Sequence, residues 1–214
     1  MRKYNSCTEY WMDPFTYSFR SEFEQMYKDI EDPWGCEAGA NSRNNRLFLE
    51  MLFPPGKTYK GILDTGCGLG ALTKQVHDRN GGAGVTGLDI SKTAVDKASK
   101  LYPQIPFRVF NVLKDRMIEN NRVELIILAE VIWYILEDLT SVLDRLEKIL
   151  VPKGILAIHQ FFPSDQKFGK LVINGLDEFM HFMRHSVALI PDQKVVCHSG
   201  ENEDLVLLAT FLKN

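Results

Sequence analysis

From Tyr59 onward, short apolar runs alternate along the chain with stretches whose apolar residues recur at helical spacing. The segments "KGILDTG", "AGVTGLDI", "FRVFNV", "VELIILAE" and "GILAIHQFF" have the length and the Ile, Leu and Val content of strands. Between them, "ALTKQVHDR", "KTAVDKASKLY" and "LTSVLDRLEKILV" read as helices, the second opened by Ser91 as N-cap. Strands that are apolar on both faces and separated by helices predict a parallel sheet covered on both sides. The C-terminal end breaks the rhythm: "QKVVCHS" and "LVLLATFLK" are separated only by "GENED", too short for a crossover helix, so this pair is predicted to be antiparallel. The segment before it, "SDQKFGKLVINGLDEFMHFMRHSV", reads as partly helical.

The first part of the chain has no strand-like alternation. "SFRSEFEQMYKDI" spaces Phe19, Phe23, Met26, Tyr27 and Ile30 as one helical face, and Pro33 is expected to stop it. "SRNNRLFLEML" predicts a second helix capped by Ser42 and ended by Pro54-Pro55. Residues 1–55 are thus expected to form a helical cap on a core spanning 56–214, within one domain. A chain of 214 residues is long enough for one sizeable core.

Composition narrows the chemistry. The formal charge is -3 and no run of Lys or Arg forms a stripe, so a nucleic acid is not the expected partner. No apolar run reaches the length of a membrane span, and "MRKYNSCTEYWMDPF" carries charge without a following apolar region. A soluble, cytoplasmic protein, monomeric or homodimeric and with no membrane partner, is the expectation. Cys7, Cys36, Cys67 and Cys197 are scattered, without metal-ligand spacing. His181 and His185 can share a helical face but lack the acid of an H-E-x-x-H pair, so no metal site is expected.

The turn after the first strand carries the chemistry. In "ILDTGCGLG", Gly66, Gly68 and Gly70 stand at alternate positions and leave no Cβ between backbone and ligand. Such a turn, at the carboxyl end of a strand in an open parallel sheet, lies where ligands bind. Read as G-x-G-x-x-A, it also fits a dinucleotide fingerprint. Asp64, just ahead of the first glycine, would oppose a pyrophosphate but suits a cationic ligand. Asp89 ends the second strand, about 20 residues on, where an acid holds ribose hydroxyls. With some sixty residues before the turn and a closing hairpin, these features favour a nucleoside bearing a charged amino-acid tail over a nicotinamide dinucleotide.

At these residues the chain resembles the class I S-adenosylmethionine-dependent methyltransferases, over about Tyr59 to Phe162 by motif. "ILDTGCGLG" is similar to the family's first motif, "GLDIS" to its ribose-binding acid, "FNVLK" to its adenine-edge segment and "LIILAEVIWYILEDL" to the strand and loop between donor and acceptor. The resemblance implies a Rossmann-like, doubly wound, mostly parallel seven-stranded sheet with the antiparallel C-terminal hairpin, and S-adenosyl-L-methionine as cofactor. It places Gly66, Cys67, Gly68 and Gly70 against the methionine part of the donor and Asp64 near its amino group. Asp89 is placed at the ribose, Ile90 on the adenine, Asn111, Val112 and Leu113 at the adenine edge, and Leu128, Ala129 and Glu130 along the donor's flank. Trp34 and Arg43 are candidates to close over the donor or grip its carboxylate.

Many relatives continue the loop as E-V-L-E-H and in one group bind metal there; Glu130-Val131-Ile132-Trp133-Tyr134 lacks those ligands. "FEQMYKDIEDPWG" followed by "LAEVIWYIL" is similar to methyltransferases acting on saccharides, such as the rhizobial nodulation-factor N-methyltransferases. The implied acceptor is a small molecule, saccharide-like, presenting an amine or a hydroxyl. Glu130, Tyr134 and His159 are the candidates to orient or deprotonate it, and Tyr10, Trp11, Tyr17, Trp133 and Tyr134 to contact it. Two rival readings stay open here: a nicotinamide-dependent oxidoreductase, and a donor-binding module without catalysis.

Overall fold

The structure, a computed structural model, describes residues 4, 6–35, 42–116, 123–186, 188–199 and 203–214. Seven strands form one sheet: β1 (Ile62–Thr65), β2 (Val85–Asp89), β3 (Phe107–Val109), β4 (Val123–Ala129), β5 (Leu150–Phe162), β6 (Ile190–His198) and β7 (Leu205–Leu212). Their order is β3-β2-β1-β4-β5-β7-β6. The first five are mutually parallel, whereas β7 runs antiparallel to both β5 and β6. This is the Rossmann-like arrangement that the resemblance implied. Strand order reverses between β1 and β4, so the crevice beyond their carboxyl ends is the topological switch point.

Among the described residues, two helices precede the sheet, α1 (Phe23–Asp29) and α2 (Arg43–Leu52), and four are interleaved with it: α3 (Ala71–Arg79), α4 (Lys92–Leu101), α5 (Leu139–Ile149) and α6 (Gly175–His185). Phe48, Leu49 and Leu52 of α2 and Val76 of α3 bury against Ile62, Leu125, Ile127 and Leu208 of the sheet. Val142, Leu143 and Leu146 of α5 and Phe179 and Met183 of α6 cover the opposite face with Ile126, Leu128, Leu156 and Phe211. The apolar spacing of α5 put the right residues inside. Both expected N-caps form: Ser42 accepts from the Asn45 N–H at 3.1 Å and Ser91 from the Ala94 N–H at 3.1 Å.

Three boundaries differ from the pattern. α1 is shorter than its apolar spacing predicts, because Phe19 bridges Met12 in an antiparallel pair and the Arg20 N–H donates to the Trp11 carbonyl at 2.7 Å. The Arg20 guanidinium holds Asp13 and closes that loop. At its other end α1 stops at Asp29, short of Pro33, where Lys97 of α4 takes up the Tyr27, Ile30 and Glu31 carbonyls. Finally, β5 starts directly after α5, because Pro152 disfavours helix at Val151 and Lys153 turns through a positive φ of 62°.

Candidate functional site

A cavity of about 660 Å³ opens at the carboxyl ends of β1, β2 and β4, at the switch point. Its volume lies well inside the range of small-molecule sites, and its two halves differ in chemistry. One half is the glycine turn with Asp64, Asp89 and Ile90; the other is Glu130, Trp133, Tyr134 and His159 under the aromatic cap.

The turn leaves β1 with Gly66 at φ 81° and Gly68 at φ 55°. A Cβ on Gly66 would stand 2.4 Å from Val131 of the loop after β4, and one on Gly68 would stand 2.8 Å from the Tyr27 hydroxyl. Both glycines are therefore required by conformation and by close approach. The turn is held by Asp89, whose carboxylate accepts from the Gly68 N–H at 2.9 Å and from the Ser91 N–H at 2.9 Å. The acid expected at the ribose is thus also the cap of the glycine turn. Asp64 is fully enclosed and accepts from the Thr73 hydroxyl of α3 at 2.6 Å. Burial pushes its carboxyl up to about 6, with the Thr73 hydrogen bond opposing and the nearby Asp89 adding to the rise. Burial likewise raises Asp89, against the N–H groups of Ser91 and Gly68 that favour its charge.

Ile90, although apolar, is 41 % exposed beside Asp89 and lines the cavity. Asn111, Val112 and Leu113 border the same half; the Asn111 side-chain oxygen accepts from the Leu113 N–H at 2.9 Å and so shapes its own loop. Cys67 lines the cavity yet is buried, with Gly87 leaving room for its sulfur.

In the other half, Glu130 has a positive φ of 58°, which aims its side chain back at β5. One carboxylate oxygen meets His159 Nδ1 at 2.9 Å, and the other accepts from Gln160 Nε2 at 2.9 Å and the Phe161 N–H at 3.0 Å. Gln160 in turn accepts from the Ile132 N–H at 3.0 Å, fastening the loop that carries Trp133 and Tyr134. His159 Nε2 is buried and has no hydrogen-bond partner among the described residues. Trp133 donates to the Phe161 carbonyl at 3.0 Å. Tyr134 packs against Phe23, Trp11 and Trp34 with ring centroids 4.9, 5.3 and 6.1 Å away; burial and the Glu130 charge raise its hydroxyl above the usual tyrosine value.

Not every expected residue arrives here. Gly70 faces the Phe107 and Tyr102 rings behind the turn, and Leu128 points into the core. Arg43 stays outside although its neighbours Ser42 and Asn45 line the cavity. Tyr10 is buried within the N-terminal segment, donating to Asp29 at 2.8 Å, and Tyr17 is 42 % exposed and not among the residues lining the cavity. Conversely, Phe19, Phe23, Tyr27, Phe110 and Phe161 line the walls without having been singled out. For Phe110 and Phe161 a signal existed: each stands at the carboxyl end of a strand, where the crevice lies. Among the described residues no group of three His, Cys, Asp or Glu gathers as metal ligands, and no helix is long and apolar enough to cross a membrane. His181 and His185 stack on each other at 4.2 Å. Cys36 lies outside the described residues.

Residues 63–158, from β1 to the middle of β5, match the family described as "Methyltransferase domain". The N-methyltransferase NodS of Bradyrhizobium japonicum WM9, solved with S-adenosyl-L-homocysteine, superposes with a TM-score of 0.71 at 20 % identity, over 90 % of this chain and 99 % of that one. Residues 63–158 are thus similar to a methyltransferase domain, on a fold shared with that of NodS. A similar domain occurs in the malonyl-[acyl-carrier protein] O-methyltransferase of Acetivibrio thermocellus, 30 % identical over 117 residues, which are 53 % of this chain and 40 % of that protein. This chain thus spans less than half the length of that curated relative. The geranyl diphosphate C-methyltransferase of Streptomyces coelicolor A3(2) shares the fold at 17 % identity and a TM-score of 0.63, covering 97 % of this chain and 87 % of that one. S-adenosyl-L-homocysteine, present in the NodS structure, is the demethylated form of S-adenosyl-L-methionine, the cofactor that the sequence resemblance implies. The residues present fit it: two buried acids, a turn without Cβ atoms and an uncovered Ile90 line one half of the cavity.

Proposed function

We propose that the protein methylates an amine or hydroxyl of a small, saccharide-sized acceptor. The observation that carries this reading is that the acidic glycine turn and the Glu130–His159 pair border one cavity, so donor and acceptor would meet inside it. S-adenosyl-L-methionine, when bound, supplies an already activated methyl group and leaves as S-adenosyl-L-homocysteine. The protein's own task is then mostly positioning.

In this reading Asp64 faces the donor's ammonium, the Gly66–Gly68 backbone its methionine part, Asp89 its ribose and Ile90 its adenine. Asn111, Val112 and Leu113 border the adenine edge, and Ala129 and Glu130 its flank. Trp34, held by its indole N–H to the Tyr27 hydroxyl at 3.1 Å, closes the site from the cap. Trp11, Trp133 and Tyr134 would contact the acceptor, with Glu130, Tyr134 and His159 placed to orient or deprotonate it. The N-terminal segment acts as cap and residues 56–214 as core. The N-methyltransferase named in the NodS structure makes an amine a natural acceptor.

Calorimetry with S-adenosyl-L-methionine, S-adenosyl-L-homocysteine and NAD tests the donor half. Binding of the first two without NAD is expected; binding of NAD alone would refute the reading. Incubation with donor and a polar metabolite extract, followed by mass spectrometry, should then reveal a product heavier by one methyl group.

A further inference from the structure

The loop after β3 is the base end of the donor site in the proposed function, on which this inference rests. Phe110, Asn111, Val112 and Leu113 of that loop line the cavity. β3 gives them little support. It has three residues, two of them exposed, and lies at the edge of the sheet, paired with β2 on one side. A loop hung from such a strand is placed by whatever holds it from outside.

Two of its hydrogen bonds are internal. The Asn111 side-chain oxygen accepts from the Leu113 N–H at 2.9 Å, and the Asp115 carboxylate accepts from the Asn111 N–H at 2.7 Å. These give the loop its shape without fixing where it lies. Its near end is fixed by the Phe110 N–H, which donates to the Asp89 carbonyl at 2.8 Å, and Val112 is buried in the cluster that α5 covers. The far end is fixed by Arg145 of α5. One guanidinium nitrogen donates to the Leu113 carbonyl at 2.5 Å and another to the Asp115 carbonyl.

Arginine suits this task, because its planar fork can hold two carbonyls at once and its charge strengthens both bonds. The arm is mounted on a firm base: Leu143 and Leu146 of the same helix are fully buried. α5 runs between β4 and β5, on the other side of the switch point from β3, so Arg145 ties a wall built by one half of the sheet to a helix of the other. Arg145 itself is not among the described residues that line the cavity. We propose that Arg145 is a positioning residue, which holds the loop after β3 against the edge of the donor's adenine and on which the choice of adenine over another base depends. Releasing the loop would spare the ribose at Asp89 and the packing on Ile90, and would cost the edge contacts of Asn111, Val112 and Leu113. The loss therefore falls on recognition of the base rather than on donor binding as a whole.

Calorimetry on the full chain tests this with S-adenosyl-L-homocysteine and with S-inosyl-L-homocysteine, which carries a carbonyl in place of the adenine amino group. The wild-type protein should prefer the adenine compound by at least about tenfold, as one or two hydrogen bonds would give. Arg145→Met keeps a long apolar stem and removes both bonds to the loop. It should weaken the adenine compound about tenfold and the inosine compound less than about threefold, so that most of the preference disappears. Arg145→Lys, which can still reach one carbonyl, should fall between. Equal weakening of both compounds in Arg145→Met would show a merely structural role and overturn the proposal, as would unchanged affinities or a wild-type protein that does not distinguish the two. Where far-UV circular dichroism shows Arg145→Met to be unfolded, Arg145→Lys decides: a reduced preference is expected, and an undiminished one overturns the proposal. A wild-type protein that binds neither compound would instead refute the donor site itself.

Discussion

Asp64 and Asp89 show how much a single buried carboxyl can carry. Because the folded protein holds the Asp64 carboxyl up at about 6, stability from this group is present below its unfolded value near 4 and is lost as pH rises through about 6. That loss amounts to as much as about 3 kcal/mol for two pKa units. Urea unfolding of the unliganded protein between pH 4 and 7 should therefore show a decline that Asp64→Asn removes, since an asparagine can still accept from the Thr73 hydroxyl. The same titration bears on the donor: if Asp64 meets its ammonium, affinity measured by calorimetry should be about tenfold weaker at pH 5 than at pH 7. Asp89→Ala should weaken S-adenosyl-L-homocysteine by at least about tenfold, through the lost ribose contact and the loosened Gly68 N–H. Gly68→Ala should cost about 1–3 kcal/mol, because a side chain at φ 55° is strained and meets the Tyr27 hydroxyl. Adding Tyr27→Phe should return part of that loss, the part due to contact, in the same unfolding measurement.

Among the elements, the least expected coupling is between α1 and α4. Glu24 of α1 reaches the N-terminus of α4, accepting from the Ser91 hydroxyl at 2.8 Å, the Thr93 N–H at 3.0 Å and the Thr93 hydroxyl at 2.8 Å. Burial opposes its charge, but these donors and Lys28 outweigh it and hold the carboxyl down at about 2. Lys97, at the other end, caps α1, so the two helices hold each other at both ends. Ser91 thereby links the cap to Asp89, its N–H going to Asp89 and its hydroxyl to Glu24. Glu24→Ala should release the cap while the sheet stays folded. Since Glu24 is partly exposed, the cost should be only about 1 kcal/mol. Faster proteolysis within residues 6–35, unchanged far-UV circular dichroism and a several-fold weaker donor affinity are the expected signature. Global unfolding of this variant would show that α1 belongs to the core.

For the molecule as a whole, the terminal hairpin is structural. β7 lies inside the sheet, between β5 and β6, and Leu207, Leu208 and Phe211 are fully buried. At about 2–5 kcal/mol for each such side chain, deleting residues 205–214 exceeds the stability of an ordinary domain. Such a chain should be insoluble on expression, whereas Val195→Thr on the exposed β6 should fold normally. The alternation of apolar runs with helices, Ser42 and Ser91 as caps, the "GENED" connection and the glycine turn between two acids were all legible, because each is set by backbone periodicity or local turn chemistry. By themselves they determined a doubly wound sheet and a crevice at its first turn. Insertion of β7 between β5 and β6, the exclusion of Tyr10, Tyr17 and Arg43 from the cavity and the arrival of Tyr27, Phe110 and Phe161 were decided only by tertiary structure. These depend on which distant surfaces bury each other. The pairing of Glu130 with His159, 29 residues apart, depends likewise on β4 lying beside β5 and on one residue held at positive φ.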